Sequence, residues 1–176
     1  EAYPGDVFYL HSRLLERAGR FRDQGTITAL YTVLVEGDDL TEPVADSVRS
    51  ILDGHIVLSR DIAARNHYPA IDVLNSASRV MRDIVTPRHL ELAGKTRSIL
   101  ATHNDAEDLI NIGAYSHGSN PQIDFAISKI DGVNEFLQQS FEESSSLDKT
   151  KEELGALLNE RKDQPPSSQN RRKADL

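Results

Sequence analysis

The sequence predicts an incomplete α/β layer with a mainly parallel sheet, followed by a small all-α helical bundle. Between residues 25 and 80, apolar and β-branched runs alternate with helical patterns, as in βαβ units. Beyond Pro87 the apolar residues recur at helical spacing, which is typical of a bundle with short loops. So few strands cannot form a covered sheet, and we expect further strands to precede Glu1.

The first half begins with a helix predicted from Asp6, its capping residue, to Gly19, which is placed to end it. Residues 26–35 are apolar and β-branched between turn residues, which predicts a buried strand. An acidic loop then leads to Pro43, a residue that suits the first turn of a helix. Val44, Val48, Ile51 and Leu52 are its predicted apolar face.

The remaining predicted elements of the first half are short. The predicted elements of the second half are helices. A strand is predicted at 55–58, a helix at 60–65 and a strand-like stretch at 67–80. We divide the chain into an α/β part at 1–86 and a helical domain at 87–160. Residues 161–176 are too polar to pack, and we expect a disordered basic tail there.

Composition narrows the possible partners. The net charge is −8, and because 161–176 carries +3, the rest of the chain carries −11. Such a body repels nucleic acid phosphates, so we expect no nucleic acid partner. The chain has no cysteine and no apolar run near the ~20 residues that span a bilayer, which favours a reducing, cytosolic setting.

Catalytic motifs are scarce. The sequence has no Cys/His cluster for zinc, no G-x-S-x-G and no G-x-x-x-x-G-K-[ST] phosphate loop. Its six histidines show no paired ligand spacing, so a structural or surface role is the simpler interpretation of each.

Two features are less easily explained as ordinary surface. The loop from Asp38 to Pro43 places three carboxylates in five residues, which repel one another unless solvent or a basic partner relieves them. Arg79 follows the small residues Ser76, Ala77 and Ser78 at the end of an apolar run. A plain surface loop and a strand that ends at the surface remain the alternatives for these two features.

Several stretches together resemble the rotary-type ATPases. They are residues 25–43, 51–60 and 67–81, and the nearest match is the flagellar protein-export ATPase and its type III secretion relatives. The phrase DGHIVLSR at 53–60 is typical of that branch, and DLINIGAY at 108–115 resembles its C-terminal helical domain. Residues 1–17 are closer to the α subunit of F-type ATP synthases.

The resemblance implies the C-terminal part of a RecA-like P-loop NTPase core in a homo-hexameric ring that binds ATP with Mg²⁺ between subunits. The phosphate loop, the catalytic glutamate and the magnesium ligand would precede Glu1, which leaves no metal ligand in this chain. Tyr68 would stack on adenine, with Tyr115 as a second candidate for that pocket. Arg79 matches the arginine finger that acts in trans, and the small residues at 76–78 would form a bend that lets it leave the sheet.

The resemblance also implies partners and a function. Asp38, Asp39, Thr41 and Glu42 would line the central channel of the ring and touch a basic, coiled-coil stalk protein. The whole protein would be an ATPase that energises protein export. It would bind the export apparatus, its substrates or chaperones, and associate peripherally, through partners, with the cytoplasmic face of the inner membrane. The alternatives are a subunit of an F-type proton-translocating ATP synthase and a non-catalytic stalk-binding module.

Overall fold

In the computed structural model, which describes residues 6–22 and 25–158, short strands and helices are followed by three long helices. The helices are α1 (Asp6–Leu15), α2 (Pro43–Ile51), α3 (Arg60–Ala64), α4 (Met81–Ile84), α5 (Pro87–Asn111), α6 (Pro121–Leu137) and α7 (Leu147–Leu158). The strands are β1 (Gly19–Phe21), β2 (Gly25–Ile27), β3 (Gly54–Leu58) and β4 (Ile71–Ser78).

The helix and strand before the acidic loop are shorter than predicted. Helix α1 ends at Leu15, and Gly19 begins β1, which pairs antiparallel with β2. The predicted strand at 26–35 was wrong beyond Ile27, because residues 28–35 form no regular element and Leu30 is 92% exposed. A doubly buried strand needs neighbouring strands for its backbone groups, and among the described strands none pairs with 28–35.

The prediction of a mainly parallel sheet was also wrong for the described strands, since both strand pairs are antiparallel. In the second pair, Gly54 lies opposite Ser78 and Leu58 lies opposite Ile71. Parallel pairing needs a crossover that returns the chain to the start of β3. The five-residue α3 is only about 7.5 Å long, whereas β3 extends about 17 Å, so β4 runs back along β3 instead.

Helices α5, α6 and α7 pack around one apolar cluster, which confirms the predicted helical pattern after Pro87. The buried members of the cluster are Leu92, Ile99, Ala126, Val133, Leu154 and Leu158. Thr86 caps α5 by accepting a hydrogen bond from the His89 amide, and Asn120 caps α6 through the Gln122 amide. These caps define where the two longest helices begin.

The predicted domain boundaries after residues 86 and 160 stay predictions, and the basic tail at 161–176 lies outside the described residues. Within 6–22 and 25–158, no helix is both long enough and apolar enough to cross a bilayer.

Candidate functional site

Arg79 lies directly after β4 and beside the C-terminal end of α2. Its amide donates to the carbonyl oxygen of Asp53 at 2.7 Å. Its guanidinium donates from Nη1 to the carbonyl oxygen of Ser50 at 3.1 Å and from Nη2 to that of Arg49 at 3.2 Å. The last carbonyls of a helix lack partners within the helix and attract cations. Arg79 therefore caps the C-terminal end of α2.

The guanidinium of Arg79 remains exposed although it makes these two bonds. The predicted small-residue bend before it was wrong, because Ser76, Ala77 and Ser78 are the last residues of β4, and Ser78 pairs with Gly54. The pairing of β4 with β3 is irregular between Asp72 and Ala77, and Ala77 and Ser78 then pair with His55 and Gly54 directly before Arg79. The Arg79 side chain lies outside the sheet because β4 ends at Ser78.

Helix α5 fixes the end of β4 from the other side. The Arg97 guanidinium donates from Nη1 to the carbonyl oxygen of Ser76 and from Nη2 to that of Leu74, both at 3.1 Å. The helical bundle is thus bonded to the strand that ends next to Arg79. Sequence reasoning missed Arg97, since an arginine in the middle of a helix gives no sign of a distant partner.

The acidic loop is ordered by its own polar groups. Gly37 and Asp38 both have positive φ, at 64° and 59°, in the turn Glu36–Asp38, a conformation that Gly and Asp tolerate best. A carboxylate oxygen of Asp39 accepts hydrogen bonds from the hydroxyl and, at 2.9 Å, from the amide of Thr41. These bonds, the side-chain bond first, lower the pKa of Asp39 below its usual range.

Two arginines contact the same loop. Nε of Arg60 lies 3.4 Å from Oδ1 of Asp38, and Nη1 of Arg49 donates to the carbonyl oxygen of Leu40 at 3.2 Å. The loop ends at Glu42, whose carbonyl oxygen accepts from the Asp46 amide in the first turn of α2. Part of the expected carboxylate repulsion is therefore relieved within the chain. Asp38 and Asp39 remain exposed and accessible to a partner.

Tyr68 lies in the loop before β4, and the residue is 54% exposed. Its carbonyl oxygen accepts from the Gln139 amide at 2.9 Å, and Nδ1 of His67 lies 3.5 Å from Nε2 of Gln138. The segment after α6 thus lies against the Tyr68 loop. The sequence carried no signal for this contact, which joins residues about seventy positions apart.

Tyr115 lies in the turn between α5 and α6. Its hydroxyl lies 2.8 Å from Oδ1 of Asp124 and 3.0 Å from the carbonyl oxygen of Asn120. These bonds hold it within its own turn, whereas the backbone that reaches Tyr68 comes from the segment after α6. The structure does not show the two tyrosines in one pocket, and the role of Tyr115 stays a prediction.

Within the described residues, no three His, Asp or Glu side chains are arranged to hold a metal ion. The functional groups that the structure does present are an exposed cation after β4, an exposed aromatic ring before it, and an exposed acidic loop before α2.

Comparison with known families divides the chain at the same point where the strands give way to the long helices. Residues 1–78 match the nucleotide-binding domain of the ATP synthase alpha/beta family. Residues 85–156 match the C-terminal domain of the type III secretion ATPase EscN. The chain belongs to the type III secretion and flagellar branch of the rotary ATPases. The second match favours this branch over the F-type ATP synthases.

Individual relatives agree with this assignment. It is 50% identical over 157 residues to the flagellum-specific ATP synthase of Bacillus subtilis (strain 168), covering 89% of this chain and 36% of the relative. It is 48% identical over 158 residues to the type 3 secretion system ATPase of Xanthomonas euvesicatoria, covering 90% of this chain and 36% of the relative. The chain therefore spans about a third of the length of these relatives.

Solved structures share the fold. The assembled ATPase EscN from the enteropathogenic E. coli type III secretion system matches with a TM-score of 0.84 and 48% identity, over 88% of this chain and 37% of that one. EscN in complex with its central stalk EscO matches with a TM-score of 0.79 and 46% identity, over 89% of this chain and 37% of that one. The described part of the chain thus shares its fold with the corresponding third of these structures.

Proposed function

We propose that this chain is the C-terminal part of an ATP-hydrolysing motor subunit that energises protein export through a flagellar or type III secretion apparatus. The observation that carries the proposal is the exposed guanidinium of Arg79 at the end of β4. A cation held by hydrogen bonds directly after the end of a strand suits a phosphoryl group held by another subunit. The names of two relatives, a flagellum-specific ATP synthase and a type 3 secretion system ATPase, support this assignment.

Arg79 acts in this proposal as an arginine finger in trans, across the interface of a homo-hexamer. Its present acceptors, the carbonyls of Arg49 and Ser50, are uncharged. A phosphate oxygen carries negative charge and can accept both arms of the guanidinium fork, so it attracts the Arg79 cation more strongly than an uncharged carbonyl does. A phosphate presented by a neighbouring subunit therefore competes well for Arg79, and its planar fork spreads charge over the oxygens during transfer.

The nucleotide is ATP with Mg²⁺, whose role would be to neutralise phosphate charge. The phosphate loop and the magnesium ligands are supplied by parts of the protein outside this chain. Tyr68, half-exposed beside Arg79's strand, offers an aromatic face to the adenine of its own subunit. Tyr115 is the second candidate for the adenine pocket, although its hydroxyl is bonded to Asp124 in the structure.

The acidic loop is the proposed contact with a basic, coiled-coil central stalk. Asp38, Asp39, Thr41 and Glu42 lie together before α2, and the first three are exposed. The solved complex of EscN with its central stalk EscO supports a stalk partner. Export substrates or their chaperones, and the export apparatus at the cytoplasmic face of the inner membrane, complete the proposed setting.

The test is the substitution Arg79→Ala in the full-length protein. We expect nearly all hydrolysis to be lost while nucleotide binding stays within about tenfold, because the finger acts mainly on the transition state. Arginine fingers are worth ~10³ to 10⁵ in rate elsewhere. Arg79→Lys should recover only part, since lysine lacks the planar fork. Arg82→Ala, another exposed arginine three positions on, is the matched control and should hydrolyse ATP at close to the wild-type rate.

Mixed rings test the trans assignment. Subunits with Arg79→Ala, combined with subunits that lack the phosphate-loop lysine, should recover some activity at interfaces that pair an intact finger with an intact nucleotide site. No recovery in rings with verified co-assembly would place Arg79 within its own subunit. Full activity of the Arg79→Ala homo-oligomer would instead favour the non-catalytic, stalk-binding alternative for this part of the protein.

A further inference from the structure

Arg49 lies between the acidic loop and Arg79 and is bonded to both. Its Nη1 donates to the carbonyl oxygen of Leu40 in the loop at 3.2 Å. Its own carbonyl oxygen accepts from Nη2 of Arg79, also at 3.2 Å. One residue thus joins two features of the proposed function that are about 40 positions apart in sequence.

The side chain of Arg49 is not an ordinary solvated surface cation. The residue is only partly exposed, and its Nε atom is buried without a hydrogen-bond partner among the described residues. A buried donor left unpaired is costly, and the same guanidinium donates from Nη1 to the carbonyl oxygen of Leu40. The side chain is held where it can restrain the loop.

Helix α2 connects the two ends of this arrangement mechanically. It is nine residues long, about 13.5 Å, and its first turn accepts the chain directly from the loop at Glu42 and Pro43. Its last turn presents the carbonyls of Arg49 and Ser50 to Arg79. If α2 moved as a rigid body, a displacement of the loop would move the acceptors of Arg79 as well.

We propose that Arg49 is a positioning residue that links the acidic loop to Arg79, so that a partner bound at the loop changes where the Arg79 guanidinium is held. The proposal rests on the function proposed above, with the stalk at the loop and the finger at Arg79. The physical basis is a contiguous set of hydrogen bonds through one rigid helix, which is the kind of connection that energetic coupling between sites requires.

A substitution can remove the bond from Arg49 to the loop and keep the bond between Arg49 and Arg79. Arg49→Met keeps much of the apolar stem and the main-chain carbonyl that accepts from Arg79, but removes the donor to Leu40. Arg49→Lys restores a donor that can replace that single bond. Arg60→Met is the matched control, because Arg60 contacts the same loop through Asp38, whereas the described part of the chain shows no bond from its side chain to α2 or Arg79.

The experiment measures ATP hydrolysis by the full-length protein with and without the purified central stalk protein of the same export apparatus. For Arg49→Met we expect the stalk-saturated kcat to fall at least fivefold, with KM for ATP and Kd for the stalk within about threefold of wild type. Arg49→Lys should regain part of the loss, and Arg60→Met should keep at least half of the stimulation. Wild-type stimulation in Arg49→Met, or an equal loss in Arg60→Met, would overturn the link through Arg49.

A second measurement does not depend on catalysis. Hydrogen exchange of the Arg79 amide, which donates to Asp53, and of the Leu52 amide, which donates to Val48, reports on the end of α2. Stalk binding should change exchange at both amides in the wild type, and this change should be lost in Arg49→Met. Unchanged exchange in the wild type contradicts the link even if a variant fails to fold.

The two proposals fail in different ways. If Arg79→Ala still hydrolyses ATP, the finger assignment is wrong, whatever Arg49 does. If Arg79 is essential but Arg49→Met responds normally to the stalk, only the linking role of Arg49 is wrong.

Discussion

Arg97 of α5 donates a hydrogen bond to the carbonyl oxygen of Ser76 in β4, with 3.1 Å between Nη1 and the oxygen. A second bond from Nη2 to Leu74 makes the same side chain a two-point connection between the helical bundle and the strand that precedes Arg79. The bundle and the β3–β4 pair are thereby held in one arrangement by an exposed guanidinium.

Arg97→Met should therefore loosen the bundle from β4. We expect a loss of about 1.5 kcal/mol in the free energy of unfolding, the lower end for hydrogen bonds to charged groups, because the site is exposed. Urea denaturation, monitored by circular dichroism, measures this change in the free energy of unfolding. Lys95→Met is the control, since Lys95 pairs with Glu91 on the surface of the same helix and should change stability by less than about 0.5 kcal/mol. Equal effects of the two variants would argue against the connection.

Glycine at position 54 is required by the close approach of β4. A Cβ there would lie 2.7 Å from the carbonyl oxygen of Ala77 and 3.3 Å from Cα of Ser78. Gly54→Ala should cost about 1–3 kcal/mol by forcing the strands apart. Gly94→Ala, inside α5 at a position where an added Cβ would meet no neighbouring atom, should instead stabilise the protein by roughly 0.5–1 kcal/mol. Thermal denaturation of the two variants should give shifts of opposite sign.

Reversal of charge in the acidic loop should weaken binding of a basic stalk. Asp38→Lys combined with Asp39→Lys places cations at two exposed positions before α2, so stalk affinity should fall at least tenfold while hydrolysis without the stalk persists. The matched control is Glu142→Lys with Glu143→Lys, two exposed neighbouring carboxylates after α6. Calorimetric titration with stalk protein measures the affinity of both double variants. Unchanged affinity in the loop variant would contradict the proposed position of the loop in the central channel.

The hydrogen bonds from Thr41 hold the pKa of Asp39 below its usual range. A carboxylate whose pKa is lowered on folding stabilises the folded loop above the pKa of the unfolded chain. That stabilisation is lost as the pH falls through the folded value. Thr41→Val should therefore raise the pKa of Asp39, whereas Thr41→Ser keeps the hydroxyl and should leave it low. An NMR titration of the Asp39 carboxyl carbon measures both, and a pKa that stays low in Thr41→Val would show that the Thr41 hydroxyl is not the cause.

The sequence alone determined the elements that depend on local interactions. Helix α2 begins at the predicted Pro43, β3 contains the predicted 55–58, and α5 begins at Pro87, where the pattern changes to helical spacing. Helices close their hydrogen bonds within a few residues, and capping side chains such as Thr86 act on the next turn. The family resemblance could be read from the sequence for the same reason, since contiguous phrases such as residues 53–60 carry it.

Only the tertiary structure decided how the strands pair and what the arginines bind. The apolar run at 26–35 has the composition of a buried strand, yet a strand exists only where another backbone lies beside it, and most of this run has none among the described residues. Arg49, Arg79 and Arg97 all donate to main-chain carbonyls that any residue type can supply. Main-chain acceptors leave no pattern in the amino-acid sequence. These contacts therefore become visible only in the folded structure, where distant segments lie side by side.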